Sequence, residues 1–130
     1  MSVGGVTDLN AMLAWEAARS GEVGVTMRYW HRYMGVTGNH DAALDAYSPR
    51  QLARRADAPI LLIFGRDDSV VSIAQSRGLA DALRGVGKPV EVLQLAGEDH
   101  WLSRGATREQ MLLASVAFVE KNNPPDGAAK

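Results

Sequence analysis

Acidic side chains and a histidine follow two apolar segments of this chain. Asp67 and Asp68 come shortly after the apolar residues 60–64, and His100 follows residues 90–95, at 32 positions after Asp68. An Asp that hydrogen-bonds a His fixes its tautomer and stabilises its protonated form, which is the supporting half of a Ser-His-Asp triad. These residue types therefore indicate general acid–base chemistry, provided that the fold brings the two segments together.

The apolar segments themselves are typical of strands in a parallel sheet. Residues 60–64 form an unbroken apolar run between Pro59 and Gly65, which suits a strand covered on both faces. Residues 90–95 are less apolar, as expected for a strand nearer an edge. Strands that alternate with helices over short connections indicate a right-handed parallel α/β sheet. Loops at the carboxyl ends of its strands share one edge, so the acidic pair and His100 are expected to meet.

Two helices are predicted ahead of the first of these strands. The first begins near Thr7 or Asp8 and ends near Gly21, and the second ends at Gly35, because apolar residues recur there at spacings of three and four. These apolar stripes are Leu9, Met12, Leu13 and Ala17 in the first helix, and Met27, Trp30 and Met34 in the second.

Further helices are predicted from capping signals. A short helix is expected around residues 42–46, and another ends before Ala58; the strands at 60–64 and 90–95 are each followed by a longer one. The N-terminal signals are Ser48 followed by Pro49, Ser72 with Gln75, and Thr107 with Gln110. The predicted core-facing residues are Ile73, Ala80 and Leu83 in the first of the longer helices, and Leu112, Val116 and Val119 in the last.

Composition and charge exclude several classes of protein. The chain has 130 residues, 46% of them apolar, a formal net charge of −1 and no cysteine. These values predict one soluble domain, without a membrane span, and argue against nucleic-acid binding, a disulfide scaffold or a thiolate nucleophile. The amino terminus lacks the features of a secretory signal, and we expect a cytoplasmic location. Residues 1–123 are predicted to form one unit, and residues 124–130 a flexible tail.

Two motifs resemble those of a known family. Residues 59–71, followed by Gln75 and Ser76, resemble the acid-bearing segment of α/β-hydrolases in the prolyl oligopeptidase family of serine peptidases. Residues 95–101 resemble the histidine loop of the same family. The stretch ahead of the acid is also similar, so the resemblance extends from residue 1 to about residue 123.

The resemblance implies a role for particular residues. It identifies Asp68 as the catalytic acid and His100 as the base, although Asp67 remains an alternative acid. It also implies that Val71 helps to line the pocket for the residue before the scissile bond. The family's chemistry requires no cofactor and no metal. Residues 1–123 would be the C-terminal part of an α/β-hydrolase domain, with about three mostly parallel strands.

The nucleophile of such a triad is absent from this sequence. None of the serines has Gly both two positions before and two positions after it, so the chain holds no Gly-x-Ser-x-Gly elbow. In α/β-hydrolases the nucleophile precedes the acid in the chain. We therefore expect it upstream of residue 1, and we expect this chain alone to be inactive.

Several interpretations of function remain open. The chain supplies the acid and the histidine of a serine peptidase that acts on peptides, with the missing N-terminal part of the domain as its partner. Alternatively, it is a non-catalytic module that self-associates or binds a partner, because apolar faces would be left uncovered. An esterase of the same fold is a third interpretation.

Other polar and aromatic residues have simpler explanations. Asp67 and Asp68 with Glu98, Asp99 and His100 have the ligand types of a Mg²⁺ or Ca²⁺ site, but their spacing does not require one. The remaining histidines, His31 and His40, are predicted to be surface or packing residues. The tryptophans Trp15, Trp30 and Trp101 are predicted to be core or pocket-wall aromatics.

Overall fold

Parallel strands form one sheet in the computed structural model, which describes residues 1–124. The strands, in spatial order, are β1 (Ser2–Val3), β2 (Ile60–Gly65) and β3 (Val90–Leu95). β2 pairs with both neighbours, and its last residue, Gly65, lies opposite Leu95 of β3. The predicted α/β class, with about three parallel strands, is confirmed.

Helices precede and separate these strands. The α-helices are α1 (Leu9–Ser20), α2 (Val25–Met34), α3 (Ile73–Gly85) and α4 (Gly105–Asn122), and there are 3-10 helices at Ala42–Tyr47 and Ala53–Arg55. Within residues 1–124, no helix is both long enough and apolar enough to cross a membrane.

The central strand β2 is buried on both faces, as its unbroken apolar run predicts. Leu62 packs against Leu79 and Leu83 of α3 on one face. On the other face, Ile63 belongs to a cluster with Phe118 of α4. Helices on opposite faces of a parallel strand remove its apolar side chains from water, and this packing fixes the position of the loop that follows Gly65.

The helices α1 and α2 pack against each other where their predicted apolar stripes meet. Leu13 and Met27 are fully buried in this contact. Asp8 caps α1 by accepting a hydrogen bond from the Ala11 N–H at 2.9 Å. Gly35 ends α2 with a φ of +71°, a backbone conformation that glycine adopts without strain. Both predicted helices are confirmed.

The predicted N-cap at Ser48 is wrong. Its hydroxyl accepts a hydrogen bond from the Leu9 N–H at 3.0 Å and donates to the Leu44 carbonyl at 2.8 Å. Ser48 therefore joins the start of α1 to the first 3-10 helix, and the chain after Pro49 forms turns and a 3-10 helix rather than an α-helix. The short helix predicted around residues 42–46 is a 3-10 helix.

Neither predicted capping box is formed. Ser72 accepts a hydrogen bond from the Ala74 N–H at 3.3 Å, but the Gln75 side chain bonds residues at the start of α1 rather than returning to Ser72. The last helix begins at Gly105, two residues before Thr107. Thr107 donates its hydroxyl to a buried glutamate instead of capping.

The core-facing side of α4 also differs from the prediction. Leu112, Val116 and Val119 are exposed, whereas Thr107 and Phe118 are buried. Apolar residues lie on several sides of this helix, so their spacing alone did not indicate which side meets the sheet. The helix ends at Asn122, and residues 125–130 of the predicted tail lie outside the described part of the chain.

Candidate functional site

Asp68 lies in the loop that follows β2, here called the acid loop (residues 66–72). Its Oδ1 atom accepts hydrogen bonds from the Val70 and Val71 N–H groups, each at 2.8 Å. The side chain is 2% exposed. These backbone donors orient the carboxylate so that its second oxygen faces away from the loop.

That second oxygen meets the histidine. His100 lies in the loop between β3 and α4, here called the histidine loop (residues 96–104), and its Nδ1 atom is 2.9 Å from Asp68 Oδ2. Because an ionised carboxylate only accepts hydrogen bonds, Nδ1 is the donor in this contact, and in the tautomer that this selects Nε2 is the nitrogen that can accept one. The His100 side chain is 23% exposed, so solvent or a reactant can reach the ring.

Backbone contacts hold the two loops together. The Arg66 N–H donates to the Leu95 carbonyl at 2.9 Å, and the Asp67 N–H donates to the Glu98 carbonyl at 3.0 Å. Gly65 allows this close approach, because a Cβ atom at that position would lie 2.3 Å from the Glu98 carbonyl oxygen. The spacing between Asp68 and His100 therefore depends on the main chain at the ends of β2 and β3.

The end of β1 lies against the same pair. Gly4 has a φ of +54°, and a Cβ atom built on it would lie 3.5 Å from His100 Nδ1 and 3.7 Å from Asp68 Oδ2. A side chain at position 4 would thus touch both partners and strain the backbone. Three successive strands contribute residues to one edge of the sheet.

Glu98 is an unanticipated feature of the histidine loop. Its side chain is buried, with a residue exposure of 1%, and its carboxylate accepts hydrogen bonds from the Asp99 N–H at 3.1 Å and the Arg104 N–H at 3.3 Å. Thr107 also donates its hydroxyl to this carboxylate. Glu98 therefore fastens the histidine loop to the start of α4.

Asp99 organises the other side of the loop. Its carboxylate accepts hydrogen bonds from the Ser103 hydroxyl at 2.7 Å and from the Trp101 N–H at 2.9 Å. The Ser103 hydroxyl, aided by the N–H groups of Ser103 and Trp101, holds the pKa of the Asp99 carboxyl below its ordinary value of 3.8. The two residues before His100, Glu98 and Asp99, thus bind the loop to α4 and to itself through their carboxylates.

Gln75 joins the start of α1 to the start of α3. Its side-chain oxygen accepts hydrogen bonds from the Thr7 N–H at 2.9 Å and the Asp8 N–H at 2.8 Å, while its amide donates to the Asp8 carbonyl at 3.0 Å. The partners are 67 and 68 positions away in the sequence, so no local pattern indicated this role. The contact ties the segment after Gly4 to the helix after the acid loop.

The other predicted site residues occupy different positions. Asp67 is exposed and its carboxylate lies 3.4 Å from Arg66 Nε, away from the contact with His100. Val71 is half-buried in the acid loop. His40 is exposed, and His31 bonds Asn39 at 3.0 Å. Among residues 1–124, the structure brings no three His, Asp or Glu side chains together as metal ligands.

A comparison with known protein families identifies the family of this chain. The model of the prolyl oligopeptidase family matches residues 1–124. The chain belongs to the prolyl oligopeptidase family. No curated protein sequence matches it.

Solved structures of hydrolases share the fold of this family member. A puromycin-hydrolyzing peptidase from Mycobacterium tuberculosis superimposes with a TM-score of 0.80 at 29% identity, over 93% of this chain and 18% of that one. An acylaminoacyl peptidase from Pyrococcus horikoshii gives 0.75 at 21% identity, over 99% of this chain and 21% of that one. An esterase from Thermogutta terrifontis gives 0.60 at 18% identity, over 79% and 36%. The prolyl oligopeptidase family segment described here thus spans about a fifth of the length of the two peptidases.

Proposed function

We propose that this chain supplies the acid and the base of a serine peptidase, within a longer polypeptide that carries the nucleophile upstream. Residues 1–123 would then be the C-terminal part of the catalytic domain. The observation that supports this most directly is the 2.9 Å contact between Asp68 Oδ2 and His100 Nδ1. The family membership and the α/β fold support a peptidase-type hydrolase as the class of enzyme.

The proposed reaction uses the free nitrogen of His100. Its Nε2 atom accepts the proton of the serine hydroxyl as the serine oxygen attacks the carbonyl carbon of the substrate. The resulting imidazolium, stabilised by Asp68, donates that proton to the leaving amine as the C–N bond breaks. Water then hydrolyses the acyl-enzyme by the same route, with His100 again accepting and returning a proton.

Other residues would contribute binding and positioning. The resemblance to the family implies that Val71, whose N–H bonds the Asp68 carboxylate, would line the pocket for the residue before the scissile bond. Gly4 would leave room for the imidazole to approach the serine. Each step proceeds through protons and protein side chains, so the proposal requires no cofactor.

The chain without an upstream segment is expected to be inactive. Among residues 1–124, the His100 ring forms a hydrogen bond with Asp68, and no serine hydroxyl bonds its Nε2 atom. Loss of a triad nucleophile costs at least about a thousandfold in rate. Hydrolysis therefore depends on the missing part of the domain, which we propose as the partner of this chain, and on a peptide as substrate.

The first experiment is the mass of the native polypeptide, obtained by peptide mapping from source cells. A mass well above 14.0 kDa, with an upstream Gly-x-Ser-x-Gly peptide, supports the proposal. In that polypeptide, we expect His100→Ala to lower kcat by at least about a thousandfold, and Asp68→Asn by about a hundredfold or more. The exposed histidine offers a matched control, His40→Ala, which should retain full turnover. Near-normal turnover of His100→Ala would refute the assignment.

A second candidate function rests on the exposed apolar residues of α4. Leu112, Val116 and Val119 face solvent in the described chain, and a surface of this kind is typical of an interface. The chain would then be a non-catalytic module that self-associates or binds a partner. A native mass of 14.0 kDa, cooperative unfolding and a defined oligomer would favour this function over the peptidase.

The type of bond cleaved also needs a direct test. An esterase of the same fold is the third candidate, and the complete enzyme separates it from a peptidase by its relative rates on peptide amides and simple esters. Fractionation of source cells tests the expected cytoplasmic location in the same material.

A further inference from the structure

Trp101 directly follows His100 and remains 74% exposed. A tryptophan ring is among the largest apolar surfaces that a chain can bury, and here it lies exposed next to a partly exposed imidazole that bonds a buried carboxylate. Of the two predicted roles for Trp101, a core residue or a pocket wall, this exposure contradicts the first and leaves the second as a prediction. At this position the exposed ring can contact a molecule bound next to His100.

The ring stands against the imidazole of His100. Their centroids are 5.1 Å apart and their planes meet at 87°, which is the edge-to-face arrangement that aromatic rings favour. Nδ1 of the imidazole is occupied by Asp68 at 2.9 Å. A reacting group must therefore approach the ring at Nε2, next to the exposed indole.

Hydrogen bonds within the histidine loop hold the backbone that carries this ring. The Trp101 N–H donates to Asp99 Oδ1 at 2.9 Å, and Ser103 donates to the other oxygen at 2.7 Å. Leu102 adopts a φ of +54°, a left-handed conformation that carries a steric cost for a residue with a Cβ atom. These hydrogen bonds offset that cost, and a fixed backbone carries the indole. A backbone fixed in this way reduces the entropy that the loop loses when a ligand packs on the ring.

We infer that Trp101 forms the wall of the leaving-group side of the site and favours substrates with an apolar or aromatic residue after the scissile bond. This inference rests on the proposed function. His100 returns its proton to the leaving amine, so the residue attached to that amine must lie beside the imidazole, where Trp101 stands. Val71, on the acid loop, is the residue assigned to the opposite, acyl side.

The test uses the full-length polypeptide and two amide substrates with the same acyl group, one releasing leucinamide and one releasing glycinamide. We expect Trp101→Ala to lower the ratio of their kcat/KM values about tenfold, since a hydrophobic contact of this size discriminates by that order. Trp101→Phe should keep most of the preference. Tyr33→Ala is the matched control, because Tyr33 is equally exposed at 73% but lies on α2, and it should leave the ratio unchanged.

A second readout follows the reverse of the same step. Leucinamide and glycinamide added to the reaction compete with water for the acyl-enzyme, and Trp101→Ala should reduce the advantage of leucinamide in forming the new amide. The inference would be overturned if Trp101→Ala lowered kcat/KM equally for both amides, left the ratio of the two values unchanged, or altered only the preference for the acyl residue. His100-dependent hydrolysis with an unchanged ratio would overturn this inference alone, whereas hydrolysis that persists in His100→Ala would overturn the proposed function as well.

Discussion

Replacing Gly65 by Ala should separate the acid from the base without altering either side chain. The new Cβ atom would lie 2.3 Å from the Glu98 carbonyl oxygen and 2.8 Å from that of Asp99. Real Cβ contacts are not shorter than 3.0 Å, so the histidine loop must retreat by about 0.7 Å. Added to the 2.9 Å between Asp68 and His100, this shift gives about 3.6 Å, at which a hydrogen bond is lost.

The assay measures kcat and thermal unfolding of the full-length polypeptide in parallel. We expect Gly65→Ala to lower kcat about a hundredfold, as misplacement of a catalytic group by about 1 Å does, and to cost about 1–3 kcal/mol of stability through overpacking. Gly85→Ala is the control, because a Cβ atom there meets nothing within 4 Å and alanine is the better helix former. A Gly65→Ala enzyme that loses stability but keeps its kcat would refute the proposed link between main-chain contact and catalytic geometry.

Three further predictions concern the residues around the two loops. Gln75→Ala should destabilise the protein by about 2–4 kcal/mol in urea unfolding, since it leaves the buried N–H groups at the start of α1 without acceptors; a loss below about 0.5 kcal/mol would contradict this role. Glu98→Gln should lower the free energy of unfolding by about 1–3 kcal/mol, because the new NH₂ group faces hydrogen-bond donors and cannot accept from them. If adding Thr107→Val restores stability, the Thr107 hydroxyl is the donor concerned. Ser103→Ala should raise the pKa of Asp99 towards 3.8, as measured by NMR titration. Because the folded-state pKa of Asp99 lies below its ordinary value, its contribution to stability is present above pH 3.8 and is lost as the pH falls through the lowered pKa. If the pKa of Asp99 is the same in Ser103→Ala, the Ser103 hydroxyl is not the cause of the shift.

The meeting of Asp68 and His100 was predictable because it depends on strand order. Each residue follows an apolar segment, and loops at the carboxyl ends of adjacent parallel strands share an edge. The roles of Gln75 and Glu98 were not predictable, because each bonds groups that a local pattern does not reveal. The capping-box motif drew attention to Gln75 but assigned its side chain to the wrong partner, since a buried long-range contact outweighs a local one.

The outward face of α4 illustrates another limit of the sequence. Periodicity identifies which residues share a side of a helix, but α4 is apolar on more than one side. Phe118 meets the sheet, whereas Val116 and Val119 do not. The periodicity of α4 therefore predicts burial of side chains that are exposed within residues 1–124.

The main-chain contacts between the two loops have a consequence for insertions and deletions. One added residue between Gly65 and Asp68 lengthens that path by about 3.8 Å, more than the whole 2.9 Å contact that the carboxylate must make. The turn between α3 and β3 lies at the opposite end of the strands, where Gly87 adopts a φ of +70°, and extra residues there leave both loops in place. Among descendants of this sequence, changes of length should therefore accumulate in that turn, while residues 65–68 and 95–100 keep a constant number even as their side chains vary.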